Sequence, residues 1–206
     1  GQISKPEYPT MLDGYPLSKM GRTKAALKIA LYASTFGGIF SALVLLFLGP
    51  QVAKISAQLG TAEYFMVCLF GMTIIAGVSG KSLVKGIIAA ERKIGNDDGK
   101  ITKDEYKRMF RPVLMGSIIG SCVGIVPGTG ASEASWFSYN TAKNLSKHPE
   151  EFGHGSVEGV AAAESANNAV CGATLIPLLT LGIPGDGCVA IMLSALMING
   201  LNPGLS

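Results

Sequence analysis

Long stretches without a charged residue alternate with short basic stretches along this chain. Residues 29–49 give 21 consecutive uncharged positions, and residues 64–80 give 17 more. At a rise of 1.5 Å per residue, about 20 apolar residues cross a bilayer hydrocarbon core that is roughly 30 Å thick. The pattern therefore predicts transmembrane helices.

Three further uncharged stretches occupy the second half of the chain, residues 112–132, 165–185 and 187–206. Each has the length of a span but is interrupted by Gly and Pro, which favour breaks in a helix. We therefore predict an all-α, polytopic membrane protein with about four to five transmembrane or re-entrant helices, several of them broken at Gly-Pro-Gly motifs.

Composition supports a membrane protein and excludes other classes. Only 15% of the 206 residues are charged, against about 25% in soluble domains. The net charge of +3 is too small for a nucleic-acid surface. No paired cysteines or Cys–His spacing indicate a metal site or cofactor. The cysteines lie in apolar stretches and are expected to be buried structural thiols, namely Cys68, Cys122, Cys171 and Cys188.

Basic residues predict the orientation of the first two helices. Residues 1–28 carry five Lys or Arg and residues 81–111 carry nine, whereas Lys54 alone lies between the spans. Short basic loops stay in the cytoplasm, so residues 1–90 form a cytoplasmic segment plus a helical hairpin. Residues 91–111 form a cytoplasmic linker whose Thr102–Glu105 segment caps the next helix.

Residues 112–206 form the third unit, a membrane domain with broken helices. Its polar stretch, residues 143–158, contains two Lys and three Glu and gives no clear orientation. If residues 112–132 cross the membrane completely, this stretch is external. If they form a re-entrant hairpin, it is cytoplasmic.

A near repeat of Gly and Pro is the most specific internal feature. Residues 124–130 read GIVPGTG, and residues 182–187 read GIPGDG. Both should break a helix within the membrane, which is tolerated where the backbone is buried in protein or lines a wet cavity. The helix N-termini at such breaks attract carboxylates, and paired broken helices indicate a transporter site. The alternative is that both are packing kinks.

Between the two motifs, helical spacing places Glu164, Asn167 and Asn168 on one face. Glu164 is a candidate for proton or cation coupling, and the asparagines for substrate or ion ligands. The alternative is a structural hydrogen-bond cluster.

Glu133 and Asp186 put negative charge beside the motifs: they could bind a cation, become protonated, or lie at a helix N-terminus facing water. Trp136 and Tyr139 are expected to be interfacial anchors.

The stretches GIVPGTGAS, LSKHPEEFGHGSVEGVAAAESANNA and LIPLLTLGIPGDG resemble the large membrane subunit of the tripartite tricarboxylate transporters (TctA type). The stretches DGYPLSKMGR and ALMINGLNPG resemble it as well. The resemblance implies a multi-pass protein of the bacterial inner membrane. The resemblance also implies that such a protein works with a small membrane subunit and a periplasmic solute-binding protein, and that it imports citrate or other carboxylates using a Na⁺ or H⁺ gradient. A catalytic role is not expected.

By the same resemblance, the substrate site is lined by Gly128, Thr129, Gly130, Ala131, Ser132, Asn167, Asn168, Pro184, Gly185, Asp186 and Gly187. The candidates for ion coupling are Glu133, Glu158 and Glu164.

The sequence departs from the family in lacking its earlier Gly-Pro-Gly motifs and C-terminal spans, and it joins Ala90 to Glu91 where a longer membrane segment is usual. It is therefore interpreted as a fragment or an internally shortened copy. A truncated membrane scaffold that packs with partner subunits is the alternative function. A membrane enzyme using Glu158 or Glu164 is disfavoured, since His148 and His154 lie in the polar stretch and are expected to be solvated.

Overall fold

A computed structural model describes residues 9–60, 62–63, 65–67, 69–70 and 99–204 of the protein. The predicted helix over residues 64–80 therefore lies largely outside the described residues, as do Cys68 and residues 91–98 of the predicted linker. The helices with both ends described are α1 Thr10–Lys19, α2 Thr23–Ser56, α3 Lys103–Ile125, α4 Ala131–Leu145, α5 Val157–Ala173, α6 Leu175–Leu181 and α7 Gly187–Ile198, with a short 3₁₀ helix at Pro149–Glu151.

Every element in these described ranges is helical, which confirms the predicted all-α class. The predicted cap of α3 is also confirmed: the Glu105 backbone N–H donates to the Thr102 hydroxyl at 3.2 Å, and the Thr102 backbone N–H donates to the Glu105 carboxylate at 2.8 Å. Ser156 caps α5 in the same way, through Gly159. Side chains thus satisfy backbone donors that a helix start leaves unpaired.

Helix α5 is the centre of the bundle, with α2, α3 and α4 packed around it. Its sequence, VEGVAAAESANNAVCGA, is composed almost entirely of small residues, and twelve of its seventeen residues are buried. Small side chains let neighbouring backbones approach closely. The packing of the bundle therefore depends on contacts with the α5 backbone.

Glycine at every fourth position of α3 allows its close approach to α5. A Cβ atom on Gly116 would lie 2.7 Å from the Ala162 carbonyl oxygen, and one on Gly120 would lie 2.2 Å from that of Ala166. Gly124 lies against Ala173. Since residue numbers rise together along both helices, α3 and α5 run parallel.

Helix α2 contacts a second side of α5 in the same way. A Cβ atom on Gly37 would lie 2.3 Å from the Ser165 carbonyl oxygen, and the Ser41 hydroxyl accepts a hydrogen bond from the Gly172 N–H at 3.2 Å. The buried positions of α2 are spaced three or four residues apart, while its large Leu and Phe side chains are exposed. One small-residue face of α2 therefore contacts protein, and the apolar remainder is suited to lipid.

Asp13 joins α1 to the loop that precedes α5. Its fully buried carboxylate accepts hydrogen bonds from the backbone N–H groups of Gly153, Gly155 and Ser156 through one oxygen, at 2.7 to 2.9 Å. The N-terminal segment and the 146–156 loop therefore lie at the same end of the bundle.

Ion pairs join the starts of α2, α3 and α5 at this end. Arg22 donates to the Glu105 carboxylate at 2.7 and 3.0 Å, and Arg108 binds both Glu151 and Glu158. Partial burial acts to raise the pKa of Glu105, but hydrogen bonds from Arg22 and Thr102 outweigh burial and lower the pKa below its ordinary value. We call this the polar end of the bundle.

These contacts distinguish between the two predicted arrangements of residues 112–132. Helix α3 leaves the polar end, and α4 returns to it after a break, because the loop that follows α4 contacts Asp13 and Arg108. At 1.5 Å per residue, α3 is about 34 Å long and α4 about 22 Å. The pair forms a hairpin with both ends on one side, as the re-entrant alternative requires.

One described helix, α2, is both long and apolar enough to cross a membrane by itself. Helix α7 is apolar but shorter. The other described helices do not meet both criteria, so their depth in a membrane depends on the bundle as a whole.

Two expectations about side chains are wrong. Tyr139 is buried rather than an interfacial anchor, because the 146–156 loop folds back and places Phe152 against its ring, with centroids 5.3 Å apart.

The three described cysteines are free and exposed rather than buried, since each lies on a helix face turned away from the packed interfaces: Cys122, Cys171 and Cys188. His148 and His154 are exposed, as expected.

Replacement of Gly37 tests the packing of α2 on α5. Gly37→Ala places a methyl group against the Ser165 carbonyl, and overpacking of this kind costs about 1–3 kcal/mol. We expect a lower midpoint of thermal unfolding in detergent. Gly38→Ala is the matched control, since nothing lies within 4 Å of its Cβ position. Equal midpoints for the two variants would contradict the close packing.

Labelling of Lys147→Cys tests the hairpin, in a variant whose native cysteines are replaced. Because residues 146–156 lie at the polar end of the bundle together with α1, we expect a membrane-impermeant maleimide to react only after cells are permeabilised. Gln58→Cys, beyond the far end of α2, should react in intact cells. External labelling at position 147 would exclude the re-entrant arrangement.

Candidate functional site

The first break, residues 126–130, separates α3 from α4 at the GIVPGTG motif. Gly128 adopts φ of +85°, a backbone conformation that L side chains rarely adopt, which explains the requirement for glycine. The Thr129 hydroxyl lies 2.5 Å from the Val123 carbonyl oxygen and 2.8 Å from that of Val126. Thr129 therefore closes the carbonyl end of α3.

Helix α4 starts without a side-chain cap from the residue before it, because that residue is Gly130. Glu133 reaches back and accepts a hydrogen bond from the Gly130 N–H at 3.1 Å. Ser132 and Glu133 also line a groove of about 240 Å³ with Trp136, Phe137 and Asn140. Glu133 thus lies at a helix N-terminus, as one of its three predicted alternatives states.

The second break, residues 182–186, separates α6 from α7 at the GIPGDG motif. Gly182 ends α6 in the left-handed conformation, with φ of +66°. A Cβ atom on Gly185 would lie 1.8 Å from the Thr174 hydroxyl oxygen, and one on Gly204 would lie 2.5 Å from the Gly182 nitrogen. The break is therefore packed against both α5 and the Asn-Pro-Gly turn.

Asp186 caps α7, which begins at Gly187. Its carboxylate accepts a hydrogen bond from the Val189 N–H at 2.9 Å. A negative side chain also complements the partial positive charge of a helix start. Asp186 at the start of α7 and Glu133 at the start of α4 both lie at a helix N-terminus, so each break carries a negatively charged side chain.

The uncovered face of α5 carries the polar residues predicted between the motifs. All residues of α5 are buried except Glu164, Asn167, Asn168, Cys171 and Gly172. We call the first four the polar stripe. It is flanked by α2, which contacts Glu164 and Asn168, and by α4, whose start packs against Ala166 and Val170.

The two breaks meet at the C-terminal end of α5. Gly124, just before the first break, contacts Ala173, and Gly185 in the second contacts Thr174. Cys171, the last residue of the polar stripe, lies within one helical turn of both of these contacts. Glu164 lies about 10 Å farther back along the helix axis. The structure thus places both breaks at the C-terminal end of α5, where the polar stripe also ends.

Glu158 lies apart from this group. It is buried at the polar end, where the Arg108 guanidinium donates to its carboxylate at 2.8 Å. Its charge is balanced within the protein, and it joins α3 to α5. A role for Glu158 in ion coupling stays a prediction, as does the coupling role of Glu133 and Glu164.

Sequence reasoning missed three residues near the candidate site. Ser34 and Ser41 on α2 bond to the polar stripe and its neighbours, and Thr174 has a buried hydroxyl without a hydrogen-bond partner among the described residues. Hydroxyl residues are common in membrane helices, where they bond to the preceding turn. A serine within an apolar run therefore gives no signal until its neighbour in space is known.

A family model described as the tripartite tricarboxylate transporter TctA family matches residues 4–91 and 90–206. The chain belongs to this family. The family is that of the tripartite tricarboxylate transporters, as the resemblance of the motifs implies. The TctA family is a family of transporters and not of enzymes.

Two relatives from Agrobacterium vitis extend the comparison. An uncharacterized 52.8 kDa protein in the TAR-I ttuC' 3' region is 31% identical over 95% of this chain and 50% of its own length. An uncharacterized protein in the TAR-II ttuC' 3' region is 53% identical over 41% of this chain and 35% of its own length. The chain thus spans half or less of these TctA-like relatives. No solved structure matches it.

The family comparison supports the internal shortening predicted at residues 90 and 91, and the first relative is consistent with missing positions somewhere in the chain. The two matches to the TctA model meet there. The alignment with the first relative covers 252 positions, against 206 residues in this chain, so at least 46 aligned positions have no residue here.

Asp186 allows its capping role to be separated from a role of its charge. Asp186→Asn should keep the cap of α7, whereas Asp186→Ala should lose about 1 kcal/mol of stability. Thermal unfolding in detergent measures both. If Asp186→Asn is as unstable as Asp186→Ala, the negative charge rather than the capping geometry stabilises the helix start.

Proposed function

We propose that this chain is the membrane subunit of a binding-protein-dependent secondary transporter that imports tricarboxylates or related carboxylates. The observation that carries the proposal is that both helix breaks pack against the C-terminal end of α5, the helix that carries the polar stripe. Non-helical backbone at membrane depth is tolerated next to protein or a wet cavity. A transport site is such a place.

The first break is the better candidate for the carboxylate. Helix α4 begins at Gly130, which has no side chain to cap it, but Glu133 in its first turn accepts a hydrogen bond from the Gly130 N–H. In this proposal Glu133 is protonated or gives up that bond when an anionic group binds at the helix start. The second break, with Asp186 at the start of α7, is better suited to a cation or to a hydroxyl of the substrate. Asn167 and Asn168 supply amides that can bind either.

The ion gradient acts in this proposal through Glu164. No Lys or Arg side chain pairs with Glu164 in the described part of the chain. A carboxylate without a cationic partner inside a membrane protein is a functional candidate, because holding its charge is costly. Co-transported Na⁺ or H⁺ would neutralise it during import.

The partners in this proposal are a small membrane subunit, a periplasmic solute-binding protein and the lipid bilayer. The location is the bacterial inner membrane, which the chain crosses several times. The basic residues of the polar end would face the cytoplasm.

A truncated membrane scaffold is the second candidate. It is favoured by the aligned positions for which this chain has no residue. Such a scaffold would pack with partner subunits and would not carry substrate.

Uptake of radiolabelled citrate into proteoliposomes separates the two functions, using the chain together with its small subunit and binding protein. Asn168→Ala should lower uptake about tenfold or more, because a polar group of the site would lose its partner. Asn144→Ala, exposed near the end of α4, is the matched control.

Membrane abundance must be equal for the compared proteins. Uptake unchanged by Asn168→Ala would reject the proposed site. A wild-type complex that assembles but takes up no citrate or other carboxylate would favour the scaffold.

A further inference from the structure

Ser34 occupies the middle of a hydrogen-bond chain between α2 and α5. The Asn168 Nδ2 atom donates to the Ser34 Oγ atom at 2.8 Å, and the Ser34 hydroxyl donates to the Glu164 Oε2 atom at 2.9 Å. Ser34 thus bonds both to the carboxylate and to an amide of the polar stripe.

The backbone fixes the direction of this chain. Asn168 Nδ2 also lies 3.0 Å from the Glu164 carbonyl oxygen, and two carbonyl oxygens would repel each other at that distance. The amide nitrogen, and not the amide oxygen, must therefore face Ser34. Because Ser34 accepts this bond, its own proton is available to Glu164.

The side-chain donor that bonds to the Glu164 carboxylate in the described part of the chain is an uncharged group. The Ser34 hydroxyl is the side-chain donor that reaches its carboxylate within the described ranges, and it reaches Oε2. Hydrogen bonds to a charged group are roughly twice as strong as those between neutral groups. The second carboxylate oxygen, Oε1, accepts no hydrogen bond from the described residues and can receive a cation.

We propose that Ser34 is a positioning residue for a monovalent cation, Na⁺ or H⁺, that binds at the Glu164 carboxylate. This inference rests on the proposed function and adds α2 to the coupling site. When the cation neutralises Glu164, the bond from Ser34 weakens, and the hydroxyl can turn to a carbonyl of its own helix. With Na⁺, the hydroxyl oxygen can also serve as a ligand.

The consequence is a link between cation occupancy and helix packing. From Ser34 toward the C-terminal end of α2, the Gly37–Ser165 and Ser41–Gly172 contacts continue the interface with α5. These contacts contain no ionisable group. Ser34 is therefore the place where a change of charge on α5 reaches α2. Neutralisation of Glu164 loosens this interface next to the polar stripe.

The test compares Ser34→Ala with Ser34→Thr in the reconstituted transporter. Citrate uptake is measured against sodium concentration at fixed pH, and against pH without sodium. Ser34→Ala should change the half-saturating concentration of the driving cation about tenfold, the effect of one lost hydrogen bond to a charged group, with maximal uptake within about twofold. Ser34→Thr keeps the hydroxyl and should behave as wild type.

Thr35→Val is the matched control. Thr35 is the next residue of α2, and its hydroxyl bonds to the Leu31 carbonyl of its own helix at 2.8 Å. It should leave the half-saturating concentration unchanged. If Ser34→Ala does not accumulate in the membrane, Ser34→Gly replaces it under the same criterion.

Two results would overturn the inference. One is an unchanged half-saturating concentration in the variant without the hydroxyl; the other is an equal change in Thr35→Val. The sodium and pH series identify which cation is bound. Failure of the proposed function is distinguishable, because the assembled wild-type complex would then take up no citrate or other carboxylate, whereas failure of this inference leaves wild-type uptake intact.

Discussion

Close contact between helix backbones at α5 is the constraint on which this structure depends. Gly116 and Gly120 of α3 and Gly37 of α2 leave no room for a Cβ atom against the carbonyls of α5. In a bilayer, where lipid is as apolar as leucine, such contacts and interhelical hydrogen bonds replace the hydrophobic driving force between helices. The central helix accordingly consists of alanine, glycine and small polar residues.

This packing also determines where the polar groups of α5 can lie. Neighbouring helices cover three sides of α5 with small residues, so Glu164, Asn167 and Asn168 share the face that remains between α2 and α4. Both helix breaks end beside the same helix. In the function proposed above, such a site would have backbone dipoles at one end of α5 and a carboxylate nearly three turns away.

Much of this arrangement could be predicted from local chemistry. Thr102 and Glu105 form the predicted capping box, the two Gly-Pro-Gly motifs end helices, and helical spacing groups Glu164 with the asparagines. Each of these depends on residues only a few positions apart. Tyr139 and the exposed cysteines were predicted wrongly because their surroundings are set by distant segments, such as the loop that brings Phe152 onto Tyr139.

The sequence by itself therefore determined the helical class, the breaks and the family, because hydrophobic run length, proline and glycine act locally on the backbone. Only the tertiary structure decided that residues 146–156 return to the polar end and that Ser34 meets Glu164, 130 residues along the chain. Counting charged residues could not predict where residues 146–156 lie, since the positive and negative charges of that loop nearly balance. Nothing in an apolar run indicates the contact of Ser34 with Glu164, because a serine acquires its role from the helix packed against it.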